Sequence, residues 1–74
     1  MNIYGYAVEN EQLLTMKEVS FQLSPNELRA ISKFLLSEAD RMEDLGDSYG
    51  HSHLKDYDNN FKSLADLIVH RNVE

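Results

Sequence analysis

The chain has 74 residues, with thirteen acidic against seven basic, no cysteine, and a formal charge of −6. That length allows one domain over residues 1–74 with one modest core, which neither a disulfide nor a thiolate zinc site can staple. A homodimer is therefore the expected reinforcement. The negative charge disfavours direct nucleic-acid binding, which depends on Lys and Arg displacing phosphate counterions. It suits docking on a basic protein, or simply solubility.

In chain order, residues 3–8 are rich in β-formers, and the polar break Glu9-Asn10-Glu11-Gln12 before the next apolar run predicts a hairpin. Across residues 13–23 the alternation changes phase: Leu14 and Met16 share one parity, whereas Val19, Phe21 and Leu23 share the other. Strict side-chain alternation then calls for a β-bulge near Lys17-Glu18.

Ser24-Pro25-Asn26-Glu27 is the most specific local signal, a capping box with proline at the first helical position. Leu28, Ile31, Leu35, Ala39 and Met42 follow as one apolar stripe, widened by Phe34 and Leu45, and Gly46 is the expected stop. Residues 47–63 show no period and read as a long irregular loop, and residues 64–69 as a short strand, central or buried on both sides. The expectation is an α+β domain of order β-β-α-β. Its three-stranded sheet, in the order 2-1-3, carries one helix across one face and leaves strand two as an exposed edge open to dimerisation.

Two features stand out from this frame. Asp40, Glu43, Asp44 and Asp47 gather at the C-terminal end of the helix, where the macrodipole favours cations, and the pairs 40/44 and 43/47 repel. Such a violation reads either as a solvated, salt-screened face or as an acidic steering surface. The second feature is the segment Tyr49-Gly50-His51-Ser52-His53-Leu54-Lys55-Asp56-Tyr57-Asp58, which holds two of the three histidines and two of the four tyrosines.

His51 and His53 share one side of an extended segment and, with Asp56 or Asp58, could hold a divalent metal, although two imidazoles without a fixed third ligand are a weak signal. A histidine could also serve as general base to Ser48, Ser52 or water. The chain offers too little length for an enclosed pocket, so no enzyme, cofactor or resident metal is expected. The preferred reading makes Tyr49, His51, His53, Leu54, Asp56 and Tyr57 a protein-binding surface together with the four acidic residues. The bland alternative leaves these rings only satisfying hydrogen bonds beneath a loop.

The run Leu13-Leu14-x-Met16-Lys17-Glu18-Val19-Ser20-Phe21, then Ser24-Pro25-x-Glu27-Leu28-Arg29-x-Ile31, Phe34-Leu35, Met42-Glu43, Tyr49-Gly50-His51-x-His53-Leu54-x-Asp56 and Asp66-Leu67-Ile68-Val69 resembles the immunity protein 32 family of bacterial polymorphic toxin systems. The likeness extends over most of the chain, including the opening Ile3-Tyr4-Gly5-Tyr6. It implies a small α+β protein that protects the producing cell by binding a cognate protein toxin, and it implies no catalytic residues. A nuclease toxin would suit the charge, since a nuclease cleft is basic. The competing classes are a generic dimeric adaptor and a small metal-binding protein using His51, His53 and Asp56. No stretch is long and apolar enough to span a bilayer, and the start lacks the pattern of a signal peptide. The sequence therefore predicts a cytoplasmic protein with no membrane association.

Overall fold

A computed structural model describes residues 1–62 and 65–72. The expected hairpin forms from two short strands, β1 (Tyr4–Gly5) and β2 (Leu14–Thr15), paired antiparallel with Tyr4 opposite Thr15. The Met16 amide extends the ladder by donating to the Ile3 carbonyl at 2.7 Å. Pairing ends there. Residues 17–23 are not strand, so the β-bulge expected at Lys17-Glu18 is absent, because no neighbouring strand takes up their backbone groups.

Helix α1 (Pro25–Leu45) starts and stops where the sequence predicts. Ser24 Oγ accepts from the Glu27 amide at 3.1 Å, and Glu27 Oε1 accepts from the Ser24 amide at 2.9 Å, so the capping box closes reciprocally. At the other end Gly46 takes φ 52°, a left-handed value that costs glycine no Cβ clash, and its amide donates to the Met42 carbonyl.

The face that α1 buries is rotated from the expected stripe. Ile31, Phe34 and Glu38 are its buried residues, whereas Leu28, Leu35, Leu36, Ala39 and Leu45 are exposed and Met42 is half-buried. The cause lies in what packs against the helix. Phe34, Ile31, Leu54 and Phe61 form the core, with Leu23, Ala30, Leu67 and Val69 against it. The larger Phe34 ring therefore sets the centre of the face, tilted against Tyr57 at 5.3 Å between ring centres.

The segment expected to be an irregular loop carries most of the remaining structure. A 3₁₀ turn (Gly46–Ser48) leads into β3 (His51–His53), then a single helical turn α2 (Leu54–Tyr57) and a second 3₁₀ turn (Asn59–Phe61). The last strand, β4 (Ile68–His70), begins later than the expected residues 64–69, of which Leu64 lies outside the described residues. It pairs antiparallel with β3, setting His51 opposite His70, Ser52 opposite Val69 and His53 opposite Ile68. The described residues thus form an α+β fold with two two-stranded sheets, β1-β2 and β3-β4, in place of the expected three-stranded 2-1-3 sheet. Nor is β4 buried on both sides: Val69 turns inward while Ile68 and His70 are exposed. With the 47–63 segment supplying its own strand, the last strand finds a nearer partner than β1.

Candidate functional site

The C-terminal half of α1 is fastened to β3 by polar contacts. Glu38 is only 4 % exposed, yet one Arg41 guanidinium nitrogen reaches both of its carboxylate oxygens at 3.0 Å, and the Tyr49 hydroxyl donates to Oε2 at 3.3 Å. The same Arg41 nitrogen donates to Ser52 Oγ at 3.1 Å, and its guanidinium carbon lies 5.8 Å from the centre of the Tyr49 ring. A buried carboxylate is tolerable when it is paired and hydrogen-bonded in this way.

These contacts assign the predicted site residues to two groups. Tyr49 and Leu54 are buried, so they hold the segment onto α1 and do not present a contact surface. His51, Asp56 and Tyr57 are exposed, His53 is half-buried, and these four join Glu38, Arg41 and Ser52 around an open cleft of about 390 Å³. Asp40, Glu43, Asp44 and Asp47 are all exposed. The spacing of Asp40, Glu43 and Asp44 puts them on the side of α1 opposite the buried Glu38, and Asp47 lies just past the helix in the 3₁₀ turn. Arg41, the base nearest to them in sequence, is turned to Glu38 and Ser52, while Arg71 approaches Asp47 at 2.9 Å.

The carboxylate that meets the histidine segment is Asp66, not Asp56. His53 Nδ1 bonds Asp66 Oδ2, and the Lys55 amide donates to Oδ1 at 3.5 Å. Burial pushes the Asp66 carboxyl up, but the His53 and Lys55 hydrogen bonds and charges outweigh it and hold the group below its ordinary value. Asp66 is thus an acceptor at neutral pH, which makes His53 Nδ1 the donor and leaves Nε2 as the nitrogen turned away from Asp66. Beside it the three rings are close: His51 to His53 is 5.1 Å, and His51 to His70 is 5.2 Å with the planes 24° apart. Among the described residues, no three His, Asp or Glu side chains are arranged as a ready metal site, so the His51/His53/Asp56 set is not assembled.

Glu38, Arg41, Asp66, His70 and Arg71 were outside the sequence-predicted set. Asp66 and His70 are brought in only by the β3–β4 pairing, which no local pattern announces. Glu38 and Arg41 carried a weak signal as an opposite-charge pair at three-residue spacing. No helix among the described residues is long and apolar enough to cross a membrane. Comparison with protein-family models, curated proteins and solved structures finds no match to this chain.

Proposed function

We propose that the protein is a protein-binding module of the immunity type, which neutralises a cognate toxin by occluding its working surface in the cytoplasm of the producing cell. The observation that carries the reading is the fastening of the acidic end of α1 to the histidine strand. Arg41 ties that end to Ser52, and Asp47 meets Arg71 just beyond β4, so the acidic turns and the exposed cluster of His51, His53, Asp56 and Tyr57 are joined in one unit, with Asp40, Glu43 and Asp44 on the side of α1 away from the cluster. Acidic charge there raises the encounter rate with a basic partner, and the rings supply contact area with polar tips. The module binds and does not catalyse.

Self-association belongs to the same proposal. Leu28, Leu35, Leu36 and Ala39 are exposed along one side of α1, an apolar stripe that a second copy would cover. Sedimentation over a range of protein concentrations tests this part: a species that stays monomeric throughout removes it.

Affinity capture from the native cell tests the main reading. One toxic polypeptide should emerge as the dominant stoichiometric partner, and adding the purified protein should abolish its toxicity. A non-toxic dominant partner would make the chain an adaptor and end the immunity reading.

A further inference from the structure

Three imidazoles share one face of the β3–β4 ladder. His51 and His53 stand two residues apart on β3 and project to the same side, and His70 on β4 is the register partner of His51. The ring centres of His53 and His70 lie 5.1 and 5.2 Å from that of His51. With Zn–N bonds of about 2.1 Å and tetrahedral angles, two imidazoles sharing one ion have their centres roughly 5 Å apart. Two of the three ring pairs, those that share His51, are therefore already spaced as a shared ion requires.

What differs from a formed site is the direction of the rings. The plane of His51 is 68° from that of His53 and 24° from that of His70, so the nitrogens do not yet converge. Convergence needs rotation about the last side-chain torsion, which is broad for histidine. His51 and His70 are exposed, and no hydrogen bond among the described residues holds either ring. His53 is oriented in advance. Its Nδ1 faces Asp66, which fixes the tautomer and leaves Nε2 as the ligand atom, the arrangement that commonly supports a metal-bound imidazole.

We propose that His51, His53 and His70 bind one Zn²⁺ ion, with Asp66 orienting His53 from behind and the fourth position open to solvent. The ligand set differs from His51/His53/Asp56 in that β4 supplies the third donor, and the proposal stands independently of the protein-binding reading. Calorimetric titration of Zn²⁺ into the metal-free full chain near neutral pH tests it. One ion per chain is expected, and His70→Ala should weaken binding at least about tenfold, as should His51→Ala, because each removes one of three ligands. Asp66→Asn should weaken it roughly 10- to 100-fold through the lost orientation of His53. Far-UV circular dichroism checks that each variant keeps its helix, which is expected of exposed positions. Absence of binding at millimolar Zn²⁺, or binding that His70→Ala leaves unchanged, overturns the proposal.

Discussion

Truncating Phe34 and Leu35, adjacent on α1, gives a direct measure of which face of the helix carries the core. Phe34 is wholly excluded from solvent and is enclosed by Ile31, Leu54, Phe61 and the Tyr57 ring, so Phe34→Ala removes a fully packed side chain at a cost of about 3–5 kcal/mol. A chain of this size has on the order of 4–11 kcal/mol in total, so that variant would be close to unfolding. Phe34→Leu, at roughly 1–3 kcal/mol, keeps the comparison measurable. Leu35 is 43 % exposed, and losing its half-buried methyls costs about 1 kcal/mol, part of which the better helix propensity of alanine returns. Urea melts followed by far-UV circular dichroism should therefore place the midpoint of Phe34→Leu well below that of Leu35→Ala, with equal slopes. If Leu35→Ala shifts the midpoint as far as Phe34→Leu, the assigned face is wrong.

Replacing Glu38 with alanine should destabilise by about 1–3 kcal/mol, since it strips the buried Tyr49 hydroxyl of its acceptor, and thermal melts compared with Arg41→Ala will show whether Tyr49 or Arg41 is the costlier group to leave alone. Ser24→Ala should cost about 1 kcal/mol through the lost cap, read from the same melts. Two carboxyls set the acid response: Glu27 is held low chiefly by its hydrogen bonds with Ser24, and Asp66 by His53 and Lys55 against the opposing effect of burial. A depressed folded-state pKa contributes stability that is complete above the unfolded value, near pH 4, and disappears as pH falls through the folded value, so Glu27→Gln and Asp66→Asn should flatten the acid limb of stability below about pH 5. Neutralising Asp40, Glu43, Asp44 and Asp47 together should slow association with the partner and reduce its salt dependence while leaving dissociation nearly unchanged, as stopped-flow mixing will show. Unaltered association would take the ridge out of the encounter.

The parts of this fold that were legible in the sequence are those specified by short-range chemistry. The Ser24-Pro25-x-Glu27 box and Gly46 bound α1 because a cap is satisfied within a few residues of itself, whatever packs outside. The rotation of α1 was not legible. Counting apolar positions favoured Leu28, Leu35 and Ala39, while the structure turns inward Glu38, a residue that periodicity scores against, because Arg41 and the Tyr49 hydroxyl satisfy its carboxylate there. Residues 13–23 show the converse limit. They have strand composition, but pairing requires a neighbour, and the ladder with β1 runs out at Met16. The histidine segment was legible as a cluster; its Asp66 and His70 neighbours depend on the β3–β4 register, which lies outside any local window.

The spacing of the strand pairs bears on how the chain reaches this state. Tyr4 meets Thr15 and His51 meets His70, so neither described ladder closes a loop of more than about twenty residues, and the ties from Glu38 and Arg41 to Tyr49 and Ser52 are shorter still. A three-stranded 2-1-3 sheet would have joined the two ends of the chain and delayed its reward until nearly all of it was ordered. Here both ladders and the α1–β3 ties can form early, while the core that joins Ile31 and Phe34 to Leu54, Phe61, Leu67 and Val69 closes over longer stretches of chain. The same locality leaves the N-terminal hairpin tied mainly to itself, so it can open and reclose on its own while the core around Phe34 stays intact.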